Sequence, residues 1–169
     1  MTHKDLEWDM SSLREIRKLI MQPAVIFDMD GTLADVSAIR HHVVPIPPNR
    51  RKDFDTFHDL SAGVPAHDWV VNLARDAKTI GLTVLIVTAR STKWRNHTAM
   101  WLALNDVPSD AMFMRKNGDT RKDVLVKTDI LNAIRTRFEV VMAVDDNPSI
   151  LQLWQDNNIT TVEVPGWQH

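Results

Sequence analysis

Five short runs punctuate the chain: 24–27 (AVIF), 83–87 (TVLIV), 111–114 (AMFM), 140–144 (VVMAV) and 159–164 (ITTVEV). Most are apolar throughout rather than alternating, the pattern of strands covered on both faces in a parallel sheet. Segments of helical period fill the gaps. Over 66–80, Trp69, Val70, Leu73, Ala77 and Ile80 form one stripe, and Gly81 can cap its end. Over 93–105, Trp94, Trp101 and Leu104 do the same, and 120–137 reads as a third helix. A fourth begins at Pro148, well placed as a first helical residue after Asn147, and buries Ile150, Leu151 and Trp154. This βαβα alternation predicts a three-layer α/β/α, Rossmann-like parallel sheet.

Two pieces fall outside that alternation. An N-terminal extension over 1–22 contains a helical stretch, 12–21, with a capping box at Ser12 and Glu15. Residues 36–65 carry PIPPNRRKD and no long apolar run. They predict a small loop-rich insertion after the first strand, placed to serve as a lid. The whole of 1–169 reads as one domain with these additions.

Composition narrows the chemistry. The chain has no cysteine, which excludes disulfides and thiolate metal sites and fits a reducing compartment. Its net charge of −2 means that any nucleic-acid contact must come from a local patch. Arg40, Arg50, Arg51, Lys52, Arg115, Lys116, Arg121 and Lys122 are the basic residues that could supply one. The first ten residues lack the apolar core of a secretory signal, and every apolar run is too short to cross a bilayer. A cytoplasmic location with no membrane contact is expected.

Ligands of an open parallel sheet bind at the carboxyl ends of its strands. The first run ends in Asp28-Met29-Asp30-Gly31-Thr32, the second in Thr88-Ala89-Arg90, and the fourth in Asp145-Asp146-Asn147. Residues two apart on an extended chain share a face, so Asp28 and Asp30 point together. One can attack phosphorus while the other handles the leaving-group proton. A bare Asp-x-Asp is more often a solvated turn. Here an apolar strand precedes it and Gly-Thr-Leu follows. Asp28 is the better nucleophile and Asp30 the acid/base, with Thr32 a donor to phosphate oxygens.

Two like charges about 4 Å apart repel by roughly 4 kcal/mol at an effective dielectric near 20. Asp28, Asp30, Asp145 and Asp146 would therefore not converge without a cation, and an all-oxygen set points to Mg²⁺. The ion would be held by Asp28, the carbonyl of Asp30 and Asp145, with Asp146 close by. The plainer reading of Asp145-Asp146 is an N-cap ahead of Pro148. Lys127 lies on the same helical arc as Val124, Ile130, Leu131 and Ile134. A lysine on an apolar stripe needs a negative partner, or else snorkels at the edge. Asp123, four residues earlier, can pair with it. Thr88 and Arg90 can bind substrate phosphate, although Ser91 or Thr92 could simply cap a helix there. Trp69, Trp101 and Trp154 read as core, and Trp94 as a residue able to stack on a base.

In this order the motifs resemble the haloacid dehalogenase-type phosphatases: DxDGT on strand one, Ser/Thr on strand two, a helical lysine and an acidic pair on strand four. NGDTRKDVLVKTDIL over 117–131 and AVDDNPSILQLWQDNNITTVEV over 143–164 narrow the likeness. They are similar to the 3′-phosphatase domain of phage polynucleotide kinase/phosphatases. The resemblance implies a Mg²⁺-dependent phosphomonoesterase acting through an aspartyl-phosphate on Asp28. Its substrate would be a 3′-phosphorylated nucleic-acid end or a nucleoside 3′-phosphate. Asp30 and Lys127 would complete the catalytic set, and Thr32, Thr88, Ala89, Arg90 and Asp123 would serve the substrate phosphate. Arg40 is the candidate for a second substrate arginine. Asp28, Asp30, Asp145 and Asp146 would hold the metal. No GxxxxGK[ST] is present, so no kinase activity is expected of this chain. A separate kinase or ligase could be its partner in end repair, in host cytoplasm if the chain is phage-encoded. A nucleotidase or small-metabolite phosphatase would use the same residues. A non-catalytic phosphate- or nucleic-acid-binding module would not need them all.

Overall fold

A computed structural model of the chain describes Ile16 and residues 20–44 and 51–166. The helical stretch over 12–21 falls almost wholly outside the described residues, as do Trp8, Arg50 and Trp167. Five strands form one sheet: β1 (Gln22–Phe27), β2 (Thr83–Ser91), β3 (Ala111–Arg115), β4 (Phe138–Asp145) and β5 (Thr160–Glu163). All neighbours run parallel in the order β3-β2-β1-β4-β5. The chain winds outward from β1 through β2 to β3, then returns to the other side of β1. The topological switch therefore falls between β1 and β4, where a parallel sheet opens a crevice at its carboxyl edge.

Helices cover both faces. The helices α2 (Asp68–Thr79) and α3 (Arg95–Leu104) lie on one side, α4 (Asp123–Ile134) and α5 (Pro148–Asp156) on the other. The alternation of β1 shows why. Val25 and Phe27 pack with Val70, Ala74 and Trp101, while Ala24 and Ile26 pack with Leu131, Ile134 and Trp154. Trp101 and Trp154 are the largest fully buried side chains, and truncating either to alanine would cost roughly 3–5 kcal/mol. Asn147 caps α5 by accepting the Ser149 amide, with Pro148 at the first helical turn. The cap is therefore neither Asp145 nor Asp146, whose carboxylates are left for other work.

Some predicted details differ. Trp69 is 46% exposed, and Ile80 and Leu104 are exposed too. Trp69 falls outside the arc of Val70, Val71, Ala74 and Ala77 that meets the sheet, while Ile80 follows the last residue of α2 and Leu104 is the last of α3, where the sheet no longer covers them. The third helix is shorter than 120–137, and the 36–65 insertion carries a helix of its own, α1 (Phe54–Leu60). Asp53 starts α1 by accepting from the Thr56 amide and hydroxyl. β2 runs on through Thr88-Ala89-Arg90-Ser91, four residues past the apolar run.

Candidate active site

Four strand-end segments converge at the switch point. Asp28 follows β1, and its amide donates to the Val144 carbonyl at 3.1 Å, locking the exits of β1 and β4 together. Asp145 ends β4. Lys127 rises from α4 between them and donates to Asp28 Oδ1 and to Asp145 Oδ2, both at 2.8 Å. The stripe reading of Lys127 is thereby explained. It is 3% exposed and points through the apolar face of α4 to two carboxylates. Asp123 does not pair with it. Asp123 sits at the exposed start of α4 and accepts instead from Arg115 Nη2 at 2.5 Å.

Asp145 is held on both oxygens. Oδ1 accepts the Asn147 amide at 3.0 Å, and Oδ2 also takes Trp154 Nε1 at 3.4 Å. Asp146 Oδ1 accepts the buried Thr32 hydroxyl at 3.0 Å, so Thr32 serves Asp146 in this structure. Gly31 makes that approach possible. Its φ is +86°, and a Cβ placed there would overlap the Asp146 carboxylate. The turn is fixed further by His67 Nδ1, hydrogen-bonded to the Thr32 carbonyl at 2.8 Å.

Arg90 is the main surprise. The β2–β3 register breaks between Thr88 and Ser91, and such a bulge re-aims side chains. Arg90 turns inward and is 1% exposed. Its Nε and Nη2 fork onto Asp30 Oδ2 and Oδ1 at 2.7 and 2.5 Å. Its Nη1 reaches Thr98 Oγ1 on α3 at 3.3 Å. Thr88 Oγ1 accepts the Arg90 amide at 3.1 Å, and the Ala89 carbonyl accepts Arg115 Nε at 2.8 Å. Ser91 does act as a local cap, accepting the Lys93 amide. Arg40 stands farther out and donates to the Gly166 carbonyl at 2.7 Å.

A cavity of about 780 Å³ connects these groups, lined by Asp28, Asp30, Arg40, Lys127 and Asp145 and walled by α1 at Phe54 and His58. Trp94 lies in that wall but is buried, with Lys93 Nζ 4.8 Å from its ring centroid and His58 and His97 against it. Its faces are already taken. Sequence reading passed over Thr98 and His58, and took Arg115 only as part of a basic patch. Thr98 carried the signal that exposed Lys127, a polar residue on an apolar stripe between Trp94 and Trp101.

The charges are out of balance. Four carboxylates face Lys127 and Arg90, an excess of two negative charges when all are ionised. Burial pushes Asp28 well above the usual carboxylate range, and Asp145 and Asp146 add to this against the pull of Lys127. Burial, with Asp145 beside it, raises Asp146 to about 6. Burial would lower Lys127, but Asp145 and Asp28 outweigh it and hold its ammonium above the ordinary lysine value. Burial likewise opposes ionisation of Asp30, yet the Arg90 charge and its hydrogen bonds prevail and lower its pKa. One ligand oxygen from each of Asp28, Asp145 and Asp146 falls within 4.8 Å of the others. A buried all-carboxylate trio with surplus charge fits a hard divalent cation.

A parallel sheet in this order, with this acidic crevice at its switch point, is the architecture of the haloacid dehalogenase-type phosphatase class. The family model described as the polynucleotide kinase PNKP phosphatase domain matches residues 22–166. The chain belongs to that family. A protein of Autographa californica nuclear polyhedrosis virus, described as a bifunctional polynucleotide kinase/RNA ligase, is 29% identical over 145 residues. That match covers 82% of this chain and 19% of the viral protein. Among solved structures, a chain of the Pnkp1/Rnl/Hen1 RNA repair complex superposes with a TM-score of 0.72 at 23% identity, covering 85% of this chain and 42% of that one. The class C acid phosphatase of Bacillus anthracis with tungstate bound gives a TM-score of 0.64 at 14% identity, covering 92% and 72%. These two likenesses are of fold. The chain spans about a fifth of the viral relative and under half of the repair-complex chain. Among the described residues, no helix is long and apolar enough to cross a membrane.

Proposed function

We propose that this chain removes 3′-phosphates from nucleic-acid ends with Mg²⁺, through an aspartyl-phosphate on Asp28. The observation that carries the reading is the Lys127 ammonium bridging Asp28 and Asp145 inside an acidic crevice. Asp28 has one oxygen on Lys127, and its other oxygen accepts no hydrogen bond among the described residues. That oxygen attacks phosphorus as the bond to the nucleoside 3′-oxygen breaks. Asp30 delivers the proton that the departing oxygen needs. It then takes one from the water that attacks the Asp28-bound phosphorus, and phosphate leaves as the Asp28 carboxylate is restored. The resting Asp30 is ionised beside Arg90; an incoming phosphate dianion raises its proton affinity, and Asp30 takes up from solvent, as substrate binds, the proton it then delivers. Lys127 offsets charge on the transferring group.

The donor set suits Mg²⁺ held by Asp28, Asp145, Asp146 and the Asp30 carbonyl. When bound, the ion would draw the phosphate dianion into this acidic crevice and offset charge on its oxygens. Thr88 and Arg40 are proposed to meet the substrate phosphate and the nucleotide behind it. Asp123 acts at one remove, by holding Arg115. The 36–65 segment, with α1 in the cavity wall, is proposed as the cap over the leaving group. A separate kinase and ligase as partners in end repair, in a cytoplasmic setting, would fit the viral relative and the repair complex that the fold resembles. The test is a panel of 3′-phosphorylated and 5′-phosphorylated oligonucleotides, mononucleotides and sugar phosphates. Preference for 3′-phosphorylated ends, abolished by EDTA, is the expected result. Preference for sugar phosphates would replace the substrate assignment.

A further inference from the structure

Arg90 presents three nitrogens in one plane. Two take both oxygens of Asp30, and the third takes the Thr98 hydroxyl. Thr98 is itself fixed. It is fully buried, and its hydroxyl donates to the Trp94 carbonyl at 3.0 Å. Trp94 is clamped in turn by Lys93, His58 and His97. A guanidinium held at two points can still swing about the carboxylate it grips. A third contact from a buried helix removes that freedom. Among the described residues, Arg90 is the side chain that hydrogen-bonds the Asp30 carboxylate. Asp30 follows β1, directly before the positive-φ turn at Gly31, and its side chain is the less buried partner of the ion pair.

We propose that Thr98 is a positioning residue, which acts through Arg90 to aim the Asp30 carboxyl at the leaving-group oxygen. This rests on the phosphatase reading above. Removing the Thr98 hydroxyl leaves a buried Arg90 N–H without its partner, a state that buried donors avoid by moving. Arg90 then turns to recover a bond, and Asp30 turns with it. Proton transfer is sensitive to such shifts: a misplacement of about 1 Å can cost ~10²-fold.

The consequence depends on the leaving group. A nucleoside 3′-oxygen departs as a poor alkoxide and needs the Asp30 proton as its bond to phosphorus breaks. A 4-nitrophenolate departs without one. Thr98 touches neither substrate, so KM stays near its wild-type value on both.

The experiment compares Thr98→Val and Thr98→Ser with wild type on a nucleoside 3′-phosphate and on 4-nitrophenyl phosphate, with Mg²⁺. Thr98→Val is expected to lose roughly 10–100-fold in kcat on the nucleotide, and several-fold less on the aryl ester. Thr98→Ser, which keeps the hydroxyl, is expected to restore the nucleotide rate. Equal losses on the two esters, or a serine variant no better than valine, would overturn the proposal. Should Thr98→Val fail to fold, Thr98→Ala makes the same comparison, since it too removes the hydroxyl and leaves the Arg90 fork on Asp30 in place. A leaving-group-dependent loss there supports the proposal, and a uniform loss refutes it. If wild type hydrolyses neither ester, the phosphatase reading fails. If it hydrolyses both and the variants lose them alike, only the positioning role fails.

Discussion

Replacing Lys127 with methionine keeps the length of the side chain and deletes its charge. Both of its bonds, 2.8 Å to Asp28 and 2.8 Å to Asp145, are buried. Deleting one partner of a buried pair costs roughly 3–5 kcal/mol, because a charge is left uncompensated. Two effects oppose each other here. Proton uptake by Asp146, whose pKa is about 6, relieves the crowding, and at pH 7 that costs about 1.4 kcal/mol. The destabilisation is therefore expected to be largest above pH 7 and to shrink toward pH 5. At about 2–4 °C per kcal/mol for a chain of this size, 3–5 kcal/mol corresponds to a loss of roughly 6–20 °C in Tm at pH 8 in EDTA. Mg²⁺ at the same carboxylates can replace the missing positive charge, so saturating Mg²⁺ should return most of that loss. Turnover should stay at least ~10²-fold down, since the ion cannot stand where the ammonium met the phosphoryl group. Thermal melts with and without Mg²⁺ at pH 5 and 8, beside turnover of 4-nitrophenyl phosphate, read both quantities. An unchanged Tm in EDTA, or a near-normal rate with Mg²⁺, would refute the reasoning.

Asp28→Asn should abolish turnover, below ~10⁻³ of wild type, and leave the fold intact by melting and circular dichroism, because burial already disfavours the charge it removes. Gly31→Ala should forfeit Mg²⁺ binding by calorimetry along with activity, since its Cβ would overlap Asp146 in a left-handed backbone. pH acts through the same crowding. A pKa raised from 3.8 to about 6 means that the folded state holds its proton more tightly than the unfolded chain. In EDTA, the contribution of Asp146 to stability should then fall as pH rises from 4 to 7, by roughly 2 kcal/mol, and Asp146→Asn should remove that part of the pH dependence. The rise in Tm on adding Mg²⁺ should be larger at pH 7.5 than at pH 5, because binding requires the ionised trio.

The sheet was legible because β1 and β2 bury both faces over their apolar runs, and β4 does so over Ala143 and Val144 although Val141 before them is exposed. Asp28, Asp145 and Lys127 were legible because each sits where a charge is costly without a partner. What escaped notice depends on distant pairing. The polar end of β2 has no strand signature; it stays extended because β3 runs beside it, and the register break there turns Arg90 inward. Arg90's commitment to Asp30 could not be read from Thr88-Ala89-Arg90 alone, since spacing gives no side-chain direction at a bulge. Asp123 was assigned to Lys127 by helical spacing, but Arg115 from β3 reaches it first. α1 is short, and its trace was the Asp53 cap three residues ahead of Thr56.

The central claim, that Asp28 carries the phosphoryl group, is tested most directly by trapping it there. Asp30→Asn lacks the base for the second step, and an aryl phosphate does not need the acid for the first. Acid-quenched mixtures of this variant with phosphate-labelled 4-nitrophenyl phosphate and Mg²⁺ are then digested and the labelled peptide is sequenced. Label on the peptide containing Asp28, approaching one phosphate per chain and absent in EDTA, is the expected result. Release of 4-nitrophenol with label on another residue, or matched by free phosphate with none on the protein, would contradict it.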